Sequence, residues 1–532
     1  MSTRPEFFRP PLEYPRIPYG DMLTLGAARG PENVAVVFRD TSLTFREIDA
    51  LAHRLARALR TLGVTQGDRV AVLTTNCPEY IIAFYAIARL GAVVSPMNPS
   101  YKEREIEYQL NDSEAAAIVV HSDLLPLVEA VRAQTPRLRH VVTIGPAPAT
   151  PGPVRHFTEL MACEPAVPLP PLQIAWDDLV ALPYSSGTTG LPKGVCLSHK
   201  NLVCNNIQFV ATARITQADR MMIFLPFYHI YGAMLMGAAA YAGATAVLME
   251  RFEPTECLRL IEEHKITLFF VVPPVLVMLS AWPELKKYDL SSIRFTMVGA
   301  APLAPEVTRR FRELTGVTVV QGYGLTEAAP LTHLNPVYSS ELNVLESAGL
   351  PAHDCEQKVV DVETGETILG PGEVGEICVR GPHVMQGYWK APEATAATIR
   401  DGWLYTGDIG YVDARGYTFI QDRKKEMIKY KGFGIAPAEI EALLFEHPGV
   451  ADVAVIGKPD PEAGEVPKAF VVKKAGHETL TAEELTAFAK GRLAGYKTVH
   501  EVEFVRAIPK TPSGKILRRV LKEQELAKKA RA

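Results

Sequence analysis

The sequence predicts an α/β protein with largely parallel sheets, on three observations. Helix-spaced apolar residues alternate with short apolar strands, glycine closes the helical stretches, and a chain of 532 residues is too long for one compact core. From Phe45, the residues Ile48, Leu51, Leu55, Leu59 and Leu62 recur at helical spacing and stop at Gly63. Val70 to Leu73 follows as a short buried strand. The unit repeats with a helix at Tyr80 to Leu90 and a strand at Ala92 to Pro96, and again from Leu258 through Val272. Ile230 to Met249 runs uncharged for about the length of a bilayer span. It is built from Ala and Gly rather than Leu and Ile, with Gly232, Gly237 and Gly243 interrupting it, which suits a packed helix running into a strand. From Gly370 to Gln421, short strands separated by Gly-Pro, Arg-Gly and Asp-Gly turns predict a small β-barrel or sandwich. The charged run Asp422-Arg423-Lys424-Lys425-Glu426 then follows a strand ending at Ile420, and reads as either a solvated surface or a hinge. The remainder has helices of its own, one starting at Thr481 with Glu484 placed as a capping box, and reads as a small α+β domain. The predicted division is a large N-terminal domain over 1–421, with α/β subdomains at 1–170 and 171–340 and a β-barrel at 341–421; residues 422–425 form the joint and 426–532 a mobile C-terminal domain.

With 47% apolar and 22% charged residues the chain reads as globular, and a net charge of -4 gives no sign of a nucleic-acid partner. Seven scattered cysteines, odd in number and never in a Cys-x-x-Cys pair, argue against a disulfide framework or a zinc site. Met1 to Gly20 has no apolar core of a secretory signal, and the Ala-rich basic C-terminus has no recognised peroxisomal address. A reducing cytoplasm, with no membrane span, is the expected setting, for a monomer or a homodimer.

The most informative segment is Tyr184-Ser185-Ser186-Gly187-Thr188-Thr189-Gly190-Leu191-Pro192-Lys193-Gly194, after the strand-like Leu179 to Leu182. Glycines let the backbone approach an anion, hydroxyls donate to phosphate oxygens, and the lysine adds a point charge. A flexible loop and a polyphosphate cradle both have this composition; the lysine after Pro192 favours the cradle. It is not the common P-loop, because Gly194 stands where Ser or Thr would follow the lysine.

This segment resembles the signature of the adenylate-forming superfamily, which includes acyl-CoA synthetases, nonribosomal-peptide adenylation domains and beetle luciferases. Further motifs stand in the family's order: Leu225-Pro-Phe-Tyr-His229, Gly299-Ala-Ala-Pro302, Gln321-Gly-Tyr-Gly-Leu-Thr-Glu327, Gly372-Glu-Val-Gly-Glu376, Tyr405-Thr-Gly-Asp408, Asp422-Arg423 and Pro512-Ser-Gly-Lys515. The likeness spans nearly the whole chain and points to the acyl-CoA synthetase and coumarate-CoA ligase branch.

The resemblance implies an enzyme that joins a carboxylic acid to AMP from ATP, with Mg2+, and passes the acyl group to coenzyme A. ATP would be held by Ser185, Ser186, Gly187, Thr188, Thr189, Gly190 and Lys193, then by Ala301, Gln321, Gly322, Tyr323, Thr326, Asp408, Arg423 and Lys515. Tyr323 can stack on adenine, Asp408 can accept both ribose hydroxyls with Arg423 beside it, and Glu327 is a hard oxygen ligand suited to Mg2+. Lys515 would neutralise charge as the carboxylate attacks the α-phosphate, with Thr188 and Glu327 beside it. For the second step the C-terminal domain would turn about Lys425, presenting Lys429, Lys431 and Gly432, while Arg251 would meet a phosphate of coenzyme A. His229 would position or gate rather than act as base, since a thiol with pKa near ~8.5 already supplies some thiolate.

The positions matching the acyl pocket are His229, Tyr231, Leu235, Met297, Gly322 and Leu334, with Lys425 and Lys429 at its mouth. Plant hydroxycinnamate ligases resembling this chain carry a lysine where Met297 stands. A thioether pairs only weakly with a buried phenol, so the departure favours an apolar fatty or arylalkanoic acid. An amide-forming ligase, in which an amine captures the adenylate, and a nucleotide-binding protein without catalysis are the alternatives.

Overall fold

The computed structural model describes residues 9–146, 154–185, 191–301, 303–430, 433–460, 462–490, 492–493, 497–511 and 514–529. Two nine-stranded sheets form the bulk of it. One is ordered, by strand, 387–388, 193–198, 179–181, 93–97, 69–73, 115–121, 140–144 and 154–156, with 184–185 paired to 193–198. The other runs 350–351, 331–334, 319–324, 295–298, 268–271, 220–223, 245–248, 34–38 and 41–44. The central pairs of both are parallel, as the helix-strand alternation predicts.

The sheets are not consecutive in sequence, which corrects the predicted cut at residue 170. Val34–Phe38 joins the second sheet by pairing in parallel with Thr245–Leu248, while Leu179–Ala181 and Lys193–Ser198 return to the first. Pairing partners are chosen across long sequence separations, and local periodicity carries no record of them.

Local signals are otherwise clear. Thr44 and Glu47 form a reciprocal capping box, Thr44 N–H donating to the Glu47 carboxylate at 2.7 Å, and helix Phe45–Thr61 follows. Its stripe of Ile48, Ala52, Leu55 and Leu59 is fully buried. Helix Ile230–Ala242 ends at Gly243, whose φ of +75° suits glycine, and leads into strand Thr245–Leu248. Its glycines mark close packing: a Cβ on Gly232 would lie 2.2 Å from the Pro226 carbonyl oxygen. Among the described residues, no helix is long and apolar enough to cross a membrane.

A five-stranded antiparallel sheet holds strands 356–360, 375–380, 399–400, Trp403–Val412 and Thr418–Arg423. The last strand runs past the predicted stop at Ile420, so Asp422 and Arg423 are strand residues paired with Ile409 and Asp408, and Asp422 is buried rather than part of a solvated surface. The remaining residues build a separate five-stranded sheet with helices Pro437–Phe445, Ala482–Ala489 and Arg518–Lys529. This C-terminal unit has a core of its own around Ile440, Leu444, Val455 and Leu485.

Candidate active site

A cleft of about 770 Å³ lies where the large sheets, the antiparallel sheet and the C-terminal unit meet. One wall starts from the hydroxyl-rich hairpin, whose stems pair Ser185 with Lys193 and Tyr184 with Gly194. The Tyr184 hydroxyl donates to Asp112 Oδ2 at 2.6 Å and the Tyr108 hydroxyl to the Pro192 carbonyl at 2.7 Å, so both stems are tied down. Ser185 and Lys193 line the cleft. Ser186, Gly187, Thr188, Thr189 and Gly190 lie outside the described residues.

Strand Val319–Gly324 carries the next wall, with Gly322, Tyr323, Thr326 and Glu327 on it. The Tyr323 hydroxyl donates to Asp408 Oδ2 at 2.5 Å, and Arg423 Nε meets Asp408 Oδ1 at 2.8 Å. Asp408 therefore sits just behind the wall with one partner on each oxygen, each keeping a second lone pair for a hydroxyl. Burial and the Asp408 charge push the Tyr323 phenol far above its ordinary range, so it remains a donor. The same carboxylate raises the Arg423 guanidinium. Glu327, in the single turn Thr326–Ala328, accepts from the Tyr388 hydroxyl at 2.8 Å.

Lys515 reaches the cleft from the C-terminal unit. Its loop closes on itself, Thr511 N–H donating to the Lys515 carbonyl at 2.8 Å and Gly514 N–H to the Thr511 carbonyl at 2.8 Å. Burial and then Arg423 lower the Lys515 amine below its ordinary value, while Asp408, Glu426 and Glu327 pull it back up. Among the described residues, no carboxylate stands in ion-pair contact with the Lys515 ammonium.

The deep end is apolar: Tyr231, Met234, Val272, Met297 and Gly299 line it beside Gly322. A Cβ on Gly322 would lie 2.4 Å from Met297 Cε, so the glycine makes the room that the thioether fills. His229 caps helix Ile230–Ala242, its Nδ1 accepting the Tyr231 N–H at 3.3 Å, which places the ring proton on Nε2. Burial and the Lys515 charge push this imidazole down to about 4. It stays neutral near pH 7 and offers a donor, in keeping with positioning rather than proton abstraction.

Several expected residues lie off the wall. Gln321 turns its amide to the Leu345 carbonyl. Ala300, with φ of +72°, takes the lining place expected of Ala301. Met234 takes that of Leu235, because the cleft runs along the i, i+3 side of Tyr231 rather than the i, i+4 side. Leu334 is fully buried behind Gly322, its register partner. Lys425 lines the cleft, whereas Lys429 and Arg251 are exposed away from it. Lys431 and Gly432 lie outside the described residues.

Sequence reasoning assigned no role to Tyr388, Glu376 or Lys424. Glu376 Oε1 accepts the Gly407 N–H at 3.0 Å and Oε2 pairs with Lys424 at 2.8 Å, which fixes the strand backbone beside Asp408 where its register with Gly375–Arg380 shifts. Glu376 stood inside a motif already singled out, and that was the signal. Among the described residues no cluster of three or more His, Cys, Asp or Glu side chains could hold a metal ion. The Glu327 carboxylate, which lines the cleft, is a hard oxygen donor of the kind that fits Mg2+ completed by phosphate oxygens and water.

Known proteins resemble this chain along nearly its whole length. The profile of the AMP-binding enzyme family matches residues 23–389, and that of the AMP-binding enzyme C-terminal domain matches residues 439–515. A long-chain-fatty-acid–CoA ligase of Bacillus subtilis is 39% identical over 95% of this chain and 94% of its own. A 4-coumarate–CoA ligase of Oryza sativa is 41% identical over 96% of this chain and 93% of its own. Among solved structures, an anthranilate–CoA ligase in complex with anthranoyl-AMP superposes with a TM-score of 0.89 at 30% identity, covering 97% of this chain and 98% of that one.

Proposed function

The chain belongs to the AMP-binding enzyme family, and we infer that it is an ATP-dependent acid–thiol ligase. A carboxylic acid and ATP give an acyl-adenylate and pyrophosphate; the thiol of coenzyme A then takes the acyl group and AMP leaves. The observation that carries this reading is the approach of Lys515, from the C-terminal unit, to the cleft that holds Tyr323, Arg423 and Glu327 over Asp408.

In the first step Asp408 and Arg423 hold the ribose, Thr326 and the hairpin of Ser185 and Lys193 hold phosphates, and the Lys515 ammonium faces the α-phosphate. Charge placed in advance against a developing anion is worth on the order of 10²–10³ in rate. Glu327 would hold Mg2+, which would supply neutralisation of phosphate charge. For the second step the C-terminal unit turns about Lys425, withdrawing Lys515 and bringing Lys429, Lys431 and Gly432 to the cleft. The exposed position of Lys429 here suits a residue used only in that other orientation.

We assign the acid to the apolar class, fatty or arylalkanoic. Tyr231, Met234, Val272 and Met297 supply no charge to pair with a substrate's ammonium or second carboxylate, and the relatives at about 40% identity are named for fatty-acid and coumarate substrates.

The test is mass-spectrometric product analysis with ATP, Mg2+ and a panel of fatty and aromatic acids, with and without coenzyme A. Acyl-CoA together with AMP is the expected result. Adenylate that forms but is not consumed by coenzyme A would replace this reading with an amide ligase, and ATP binding without pyrophosphate release would replace it with a non-catalytic protein.

A further inference from the structure

Strand Thr418–Arg423 sends successive side chains to opposite faces, and its last two serve different parts of the molecule. Arg423 turns to the cleft and meets Asp408. Asp422 turns to the C-terminal unit, where its Oδ2 accepts the Ala438 N–H at 2.8 Å while Oδ1 accepts the Arg423 N–H at 2.7 Å. The residue is 6% exposed. Ala438 lies in the first turn of helix Pro437–Phe445, whose own N-cap, Ala436, offers no side-chain acceptor. Asp422 therefore supplies the acceptor and the negative charge that a helix N-terminus favours.

That helix is tied in turn to the catalytic lysine. It carries Glu441, whose Oε2 meets Arg518 Nη2 at 2.7 Å, while Arg518 Nε donates to the Val455 carbonyl at 3.1 Å. Arg518 opens the helix that follows Lys515 and also reaches Glu426 at 3.5 Å. An unbroken set of contacts thus runs from Asp422 through helix Pro437–Phe445 and Arg518 to the Lys515 loop. Asp422 precedes Lys425 and Ala438 follows it, so the bond spans the joint and holds in one orientation of the C-terminal unit.

We propose that Asp422 is a positioning residue for adenylation: its carboxylate latches helix Pro437–Phe445 in the orientation that puts Lys515 into the cleft. Release of the Asp422–Ala438 bond opens the way to the second half-reaction. The inference rests on the two-step ligase reading above.

Three variants test it from both sides. Asp422→Ala removes the acceptor. Ala438→Pro removes the donor and keeps the carboxylate; proline is accepted in the first turn of a helix, and helix Pro273–Ser280 of this chain already starts with Pro273-Pro274. Asp422→Asn keeps an acceptor oxygen. Each is assayed for ATP–pyrophosphate exchange with dodecanoate and with cinnamate, and for transfer of a supplied acyl-adenylate to coenzyme A.

Asp422→Ala and Ala438→Pro are expected to slow exchange about ten-fold, the scale of one lost charge-assisted hydrogen bond. Transfer to coenzyme A should be unchanged or faster, and Asp422→Asn, which keeps one acceptor oxygen for the Ala438 N–H but loses the charge, should recover part of the exchange rate. Equal loss in both half-reactions, a loss confined to one side of the bond, or exchange at the wild-type rate overturns the proposal. A wild-type enzyme that neither exchanges nor transfers overturns the ligase reading instead, so the two failures are told apart by the unmutated protein.

Discussion

Gly514 offers a sharp test of how Lys515 is placed. Its φ is +82°, and an added Cβ would lie 2.6 Å from Cγ and 2.7 Å from Cδ of Pro274, across the gap between the two units. Carbon atoms settle near ~3.5–4 Å, so Gly514→Ala forces the loop back by roughly 1 Å. A left-handed backbone at alanine adds roughly 1–2 kcal/mol. Lys515 is the next residue and moves with the loop, and a misplacement of about 1 Å near reacting atoms costs on the order of 100-fold in rate. Adding Pro274→Ala removes Cγ and Cδ but keeps a Cβ at 3.9 Å, an ordinary contact. Only the backbone cost then remains, so the double variant should recover to within about 5–30-fold of wild type. ATP–pyrophosphate exchange reads the first half-reaction, and transfer from a supplied acyl-adenylate should stay within about two-fold, because the proposed second orientation withdraws the loop. Exchange at the wild-type rate in Gly514→Ala, or no recovery with Pro274→Ala, refutes the docking argument.

Lys515→Ala should slow exchange by about 10²–10³ while sparing transfer to coenzyme A, and equal loss in both would sink the two-orientation account. Asp408→Asn replaces the anion that Tyr323 and Arg423 share, and ATP affinity by calorimetry should fall about 10–100-fold, each charge-assisted bond being worth roughly 1.5–3 kcal/mol; an unchanged Kd would remove Asp408 from the nucleotide site. The fully buried His199, His333 and His383 are pushed by burial down to about 4, about 4 and about 3. Each binds a proton in the unfolded chain before it does in the folded one, so stability is lost as pH falls through ~6.5. At pH ~5.5 that amounts to roughly 1.4 kcal/mol per histidine, measurable as a lower urea midpoint than at pH ~7.5; equal midpoints would show that these rings protonate in place.

The site was legible where chemistry is written in adjacent residues. Glycines on either side of Tyr323, the Thr-Gly before Asp408 and the Asp422-Arg423 pair read as a nucleotide site, and the structure brings Tyr323, Asp408 and Arg423 into direct contact. It was less legible where one residue of register decides which side chain faces the cleft. Ala300 and Met234 line it in place of Ala301 and Leu235, and neither choice follows from apolar character, which the neighbours share. Asp422 was harder still, since a charged run gives no hint that one carboxylate is buried against a helix that begins only after the joint. The sheet order was beyond local reading, because each strand's pairing partner lies far away in sequence.

That exchange of strands has a consequence for synthesis and for engineering. Val34–Phe38 waits for residues near 245 before it gains a parallel neighbour, and the sheet begun at Arg69 waits for Lys193–Ser198 and Gly387–Tyr388. Growing chains on the ribosome must carry uncovered strand edges through much of translation, where chaperones have work to do. A chain cut at residue 170 would give two unequal fragments, the first holding two strands of the second sheet and the second holding four strands of the first. Such fragments carry their own complementary handles for reassembly, a natural starting point for a split version of this protein.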